Sequence, residues 1–171
     1  MTSNLATRKH PESEPDYTPM QKIITSSQIR EQLKQFDSRM PLGKKISQTE
    51  NLLDASFQHI TKDEFAETVV WANQRLAMEF GVHPIAVPSL YKTHRHDCEN
   101  FAGALVTFAN IRFAKMDWPT TEPAIFRIIA RLPDNQIHAY NICFTQQGLW
   151  YADLLRGTEI WQEKPEIVGF G

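Results

Sequence analysis

Residues 124–155 read AIFRIIARLPDNQIHAYNICFTQQGLWYADLL. Three runs within it, Ala124 to Leu132, His138 to Phe144 and Leu149 to Leu155, are short and rich in β-branched and aromatic residues. The strings Pro-Asp-Asn-Gln and Thr-Gln-Gln-Gly stand between them, and both suit tight turns. The stretch therefore predicts an antiparallel meander with hairpin connections.

Upstream of it the apolar spacing changes from two to three and four. Thr25 and Gln28 have capping-box spacing ahead of Ile29, Leu33 and Phe36 on one helical face. Ser47 and Glu50 repeat that spacing before Leu52, Leu53, Phe57 and Ile60, which predicts a second helix. Thr61 and Glu64 do so again before Phe65, Val69, Leu76 and Phe80, with Gly81 as a C-terminal stop. Val82 to His96 contains Pro84 and Pro88 and reads as an extended connection, because residues preceding proline avoid the helical region. A further helix is expected from about Cys98 to Lys115, with Asp97 as N-cap and Phe101, Ala102, Leu105, Phe108 and Ala109 inward. Helices first and strands last predict an α+β domain with the helices packed on one sheet face.

A chain of 171 residues suits one domain, expected over 21–171, with residues 1–20 as a mobile or extended arm holding Pro11, Pro15 and Pro19. The formal net charge of −2 offers no electrostatic case for nucleic acid or an anionic membrane. No apolar stretch is long enough to span a bilayer and residues 1–20 lack a signal-peptide pattern, so a cytoplasmic setting is expected. Cys98 and Cys143 are the two cysteines; a disulfide between them stays open, though a cytoplasmic compartment argues against it.

Cys98 falls in the first turn of its helix, where unpaired N–H groups and the helix dipole favour a thiolate. The competing reading is a small buried hydrophobe, the common fate of a free cysteine. Cys143, between Ile142 and Phe144, suits that reading; Cys98, among Asp97, Glu99 and Asn100, suits it poorly. His138 opens one predicted strand and Asp153 lies in the next. With an even hairpin loop the two share a face as direct or diagonal neighbours. A carboxylate then holds one imidazole nitrogen and leaves the other to serve the thiol. A surface acid beside a core histidine is the bland alternative.

The string Asp97-Cys98-Glu99-Asn100-Phe101-Ala102 resembles the nucleophile motif of the transglutaminase-like cysteine peptidases of bacteria and phages. In that superfamily the histidine begins a later strand, commonly as His-Ala, and the acid follows on the next strand. His138-Ala139 comes forty positions after Cys98 and Asp153 fifteen after His138, which suits the family. The resemblance runs from about Tyr91 to Leu155. His96 stands where glycine often precedes the motif. The resemblance implies a papain-like catalytic triad of Cys98, His138 and Asp153 and a thiol protease, amidase or acyl-transfer activity on a peptide, protein or small amide. It implies no cofactor. It also leaves room for a catalytically inactive member serving as a binding or assembly protein.

Oxyanion stabilisation falls to the backbone N–H of Cys98, with Tyr91, Trp71 or Gln74 as candidate helpers. His94, His96 and Cys98 alternate, but no second ligand cluster of zinc type accompanies them, and no metal is expected. Lys92, His94, Arg95 and His96 read as a basic rim or a solvated loop. Trp150 is expected to face away from Asp153, and Gly169-Phe170-Gly171 reads as a chain end.

Overall fold

In the computed structural model the described residues are 23–37, 45, 47, 52, 56–93, 97–116, 122–162 and 166–170. The arm expected over residues 1–20, the histidines 94 and 96 with Arg95, and Trp118 lie outside them.

Thr25 is the hinge between strand β1 (Ile23–Thr25) and helix α1 (Ser26–Asp37). Its backbone N–H donates to Gln28 Oε1 at 2.8 Å, and the Gln28 N–H donates back to Thr25 Oγ1 at 3.2 Å. That reciprocal pair satisfies two donors that a bare helix start leaves orphaned. The helix then buries Ile29, Leu33 and Phe36.

The helix expected behind Ser47 does not extend over residues 56–60. Ser56–Gln58 form strand β2, antiparallel to β1 with Ile24 opposite Phe57. Ser47 is occupied elsewhere: its N–H and hydroxyl donate to the Asp37 carboxylate at 3.0 and 2.5 Å, closing the end of α1. A hydroxyl committed to another helix cannot cap its own, and β-pairing of Phe57 decides the local structure. Phe57 and Ile60, expected on one helical face, enter different cores.

Helix α2 (Lys62–Phe80) starts and stops as its sequence predicts. Thr61 and Glu64 form the complete capping box, and Gly81 closes the helix at φ 63°, the left-handed region glycine occupies without penalty. Residues 84–93, expected to be extended, are a 3₁₀ helix with Pro88 inside. Pro84 stands at its first position, where no N–H is missed. Asn73 Nδ2 donates to Pro84 O at 3.1 Å and Val87 is fully buried, so packing on α2 outweighs the local preference. Helix α3 spans Cys98–Ala114 with Asp97 as N-cap.

The sheet holds β3 (Ile125–Arg131), β4 (Ile137–Thr145), β5 (Gly148–Ala152), β6 (Ile160–Trp161) and β7 (Glu166–Phe170) in the order β6-β5-β4-β3-β7, all antiparallel. Thr145 pairs with Gly148 across a two-residue turn, and Gly148 takes φ 102°. Gly169 and Phe170, read as part of a chain end, belong to edge strand β7. Gly169 lies opposite Ile129 so closely that a Cβ there would stand 3.1 Å from Ile129 Cβ. A side chain there would require Ile129 to give by a few tenths of an ångström; beside this close approach the Phe170 ring lies 5.1 Å from Phe126.

Both sheet faces are covered, not one. Phe126, Ile128, Tyr140, Ile142, Phe144 and Tyr151 pack with α1 and the β1–β2 ribbon. Ile125, Cys143 and Ala152 pack with α2 and α3 on the other side. The reason is visible in β4, where every residue from Ala139 to Thr145 is buried. A strand apolar on both faces requires two covering layers. The chain is thus an α+β domain built on an antiparallel sheet, and among the described residues no helix is long and apolar enough to cross a membrane.

Tyr151 and Cys143 are fully buried on opposite faces, and among the described residues the Tyr151 hydroxyl has no hydrogen-bond partner. Burial pushes ionisation of both groups up, and Glu64 adds to the effect at Cys143. A group whose folded value is raised contributes stability below its unfolded value and loses it as pH rises further. The loss begins near pH 8.5 for the thiol and near pH 10 for the phenol, their ordinary values. Melting temperature is therefore expected to fall above about pH 8.5. Tyr151→Phe should flatten the part above about pH 10, with a neutral-pH cost under about 1 kcal/mol because no bonded hydroxyl is lost. A large cost at neutral pH with an unchanged alkaline slope would show a satisfied hydroxyl.

Candidate active site

Asp97 sets the first element of the site. Its carboxylate accepts the Asn100 N–H at 3.1 Å, and Asn100 Oδ1 accepts the Asp97 N–H at 3.1 Å. This capping box starts α3 at Cys98, which is half-buried with a free thiol.

Asn141 sets the height of that helix on the sheet. It is fully buried in β4, and its Nδ2 donates to Ala102 O at 2.9 Å. Cys98 precedes Ala102 by about one turn, or about 6 Å, and His138 precedes Asn141 by three residues, or about 10 Å. The direction of α3 follows from α2. The start of α2 is fixed at the β4–β5 hairpin, where Gln147 Oε1 accepts the Lys62 N–H at 2.8 Å. The two helices then run antiparallel: Arg112 meets Glu67 at 2.9 Å and Trp71 meets Phe108 at 6.1 Å. At their far end Leu76 and Phe80 line one cleft of about 190 Å³ with Asn100, Phe101 and Ala104. The N-terminus of α3 and the first residues of β4 consequently lie at one end of the sheet.

His138 and Asp153 are joined there. Imidazole Nε2 is 2.7 Å from Asp153 Oδ2, as the two-residue hairpin loop predicts for diagonal neighbours on one face. Asp153 is 2% exposed, yet its acceptors are used: Oδ1 takes the Leu155 N–H at 2.9 Å, and Arg156 Nε stands 3.5 Å from Oδ2. With the carboxylate ionised, Nε2 carries the ring proton and Nδ1 is the nitrogen left over.

Cys98 arrives from the other layer. Alternation along β4 puts the His138 ring with Tyr140, 5.9 Å away, on the face covered by α1. Thiol and imidazole therefore approach one another only around the end of the sheet, and among the described residues no hydrogen bond joins them. Trp71 is not at the thiol: it stands beside Phe108, ten residues along α3 and so about 15 Å from Cys98. Tyr91 is half-exposed on the 3₁₀ segment and Gln74 is exposed on α2. Trp150 faces the helical layer, with Lys62 Nζ 4.6 Å from its ring centroid. Among the described residues no cluster of three or more His, Cys, Asp or Glu side chains is arranged for a metal ion.

Two residues that matter here were not singled out from sequence. Asn141 was visible as the one amide in an apolar strand. Arg156 was visible as a cation three residues after Asp153 and just before Gly157, the spacing of a turn that folds back on itself.

No protein-family model matches the sequence, and no curated protein matches it. Among solved structures the fold is similar to that of a Polyporus squamosus lectin, crystallised with the human-type influenza-binding epitope Neu5Acα2-6Galβ1-4GlcNAc. The TM-score is 0.51 at 10% sequence identity, over 81% of this chain and 45% of the lectin. The chain thus spans less than half of the lectin, and likeness at that identity concerns the fold alone.

The two thiols differ in access, and alkylation reads the difference. Iodoacetamide at neutral pH is expected to modify Cys98 in the native protein at least about tenfold faster than Cys143, whose burial disfavours the thiolate. Denaturant should expose the second equivalent. Peptide mapping that found Cys143 labelled as quickly as Cys98 in the native state would contradict its burial.

Proposed function

We propose that this protein is a cysteine hydrolase or acyl transferase acting on an amide, peptide or isopeptide bond, with Cys98 as nucleophile, His138 as base and Asp153 as orienting acid. The observation that carries the reading is the 2.7 Å contact between His138 Nε2 and a buried Asp153, at the end of the sheet where α3 begins. A buried carboxylate on one imidazole nitrogen fixes the tautomer and leaves Nδ1 free to exchange a proton with a thiol. The order of parts also supports a papain- or transglutaminase-like arrangement: a cysteine opening a helix, a histidine opening a later strand, and an acid after the next.

In this mechanism the Cys98 thiolate attacks the substrate carbonyl carbon, and His138 Nδ1 holds the thiol proton. As the tetrahedral intermediate collapses to a thioester, His138 gives that proton to the departing amine. Asp153 stabilises the imidazolium formed in between. Water completes a hydrolysis and an amine completes a transfer; in each case His138 removes the proton of the incoming group. The backbone N–H of Cys98, at the start of α3, is the donor offered to the developing oxyanion.

A second reading, a binding or assembly protein that retains the fold without turnover, is favoured by one observation. Among the described residues the Cys98 thiol makes no hydrogen bond to the imidazole.

Turnover of a peptide and amide library by wild type and three variants separates the two. Cys98→Ala should fall to background with the fold intact. His138→Ala should lose about 10²–10⁴-fold. Asp153→Asn should lose about one to two powers of ten less than removal of either reacting group, with a lower melting temperature from the buried acceptor it disrupts. Full activity in Cys98→Ala would refute the nucleophile, and a wild type inert towards the whole library would favour the binding module.

A further inference from the structure

We infer that Arg156 is a positioning residue for the His138–Asp153 pair, and this rests on the catalytic reading above. The Asp153 backbone carbonyl accepts the Arg156 N–H at 2.9 Å, so residues 153–156 form a turn that folds the arginine back over the acid. Gly157, at φ 112°, lets the chain leave that turn. Arg156 Nε then reaches to 3.5 Å from Asp153 Oδ2, the same oxygen that His138 Nε2 contacts at 2.7 Å. The guanidinium also lies over the Trp161 ring, its carbon 5.8 Å from the ring centroid. Trp161 packs on Tyr140 at 5.7 Å, and Tyr140 packs on His138 at 5.9 Å. Short strand β6 thus places an aromatic wall behind the cation, and the cation, acid and imidazole form one connected group.

The chemistry follows from charge. A buried carboxylate with no cation near it draws its neutralising charge from the imidazole, and a permanently protonated imidazole is no base. Arg156 places a fixed positive charge beside the same oxygen, which favours the carboxylate anion and opposes a second positive charge on the imidazole. Three further charged groups on neighbouring elements are engaged elsewhere. Arg131 of β3 pairs with Glu166 of β7 at 3.7 Å, Arg127 of β3 pairs with Glu99 of α3 at 3.7 Å, and the Asp97 carboxylate caps α3. Among the described residues Arg156 is the cation paired with Asp153.

The test compares wild type, Arg156→Gln and Arg156→Lys by ¹⁵N NMR of the histidine rings across pH, alongside thermal melts. Arg156→Gln removes a charge that opposes the imidazolium, so the protonation profile of His138 should move to higher pH. Arg156→Lys keeps the charge and should restore most of the wild-type profile. A role in packing alone predicts a lower melting temperature with an unmoved profile, and an unmoved profile in Arg156→Gln overturns the inference. Arg156 is 60% exposed, so the variants should remain folded. Iodoacetamide labelling of Cys98 in His138→Ala keeps the two proposals apart. An unchanged labelling rate there would sink the triad, whereas a shifted His138 profile would still establish the hold of Arg156 on Asp153.

Discussion

The hydrogen bond from Asn141 to the Ala102 carbonyl fixes how α3 lies on the sheet. Apolar contact between a helix and a strand is non-directional, and a slide of one turn costs little if shape is roughly preserved. A directional bond of 2.9 Å between a buried amide and a helix carbonyl favours one height, because a slide would take the buried Asn141 amide off its short bond at a cost of about 1–3 kcal/mol. The carbonyl has a second lone pair to give, so the helix loses no bond of its own. Everything at the end of the sheet inherits that height: the capping box of Asp97 and Asn100, Cys98 beside it, and their level relative to the first residues of β4.

A buried carboxylate is the second constraint. Asp153 sits at the end of β5 in a chain segment whose neighbours Ala152 and Leu154 belong to the core. Apolar residues of similar size would make that segment no less stable, and an ion without partners would cost several kcal/mol. The structure gives it two hydrogen-bonding partners, a backbone N–H and an imidazole, and a guanidinium charge 3.5 Å away. An ion so provided for is stable, but nothing in folding demands it. That asymmetry is why this segment is better explained by chemistry than by packing.

Local signals in the sequence decided some elements and misled at others. Thr61 with Glu64, Gly81, and Asp97 ahead of Cys98 act through bonds a few residues long, so sequence spacing suffices to read them. The hairpin of β4 and β5 is equally local, and it carries the His138–Asp153 pairing with it. Ser47 has the same spacing to Glu50, but its hydroxyl is drawn to Asp37 of the preceding helix, a partner that spacing within the segment does not reveal. Pro84 and Pro88 gave the wrong backbone because Asn73 and the burial of Val87 act from α2. Covering layers on both faces follow from β4 being buried on both faces from Ala139 to Thr145; the polar caps of the helices do not announce which face each will take. Strands β6 and β7 are too short to show a period, and β7 is held by Gly169 meeting Ile129 across the sheet.

The position of the imidazole explains why the candidate chemistry lies at a strand end. Within β4 both faces are sealed, and a histidine at Ile142 or Cys143 would be a core residue without access to a substrate. Three residues before the pinned Asn141 the two layers no longer meet over the strand. Exposure therefore rises along one connected group, from 2% at the Asp153 side chain to 17% at His138 and 60% at Arg156. A base needs a carboxylate shielded enough for its charge to be felt and a ring open enough to reach a reacting group. Those demands conflict inside a core and on an open surface. They are met together only where a buried sheet runs out beside the beginning of a helix.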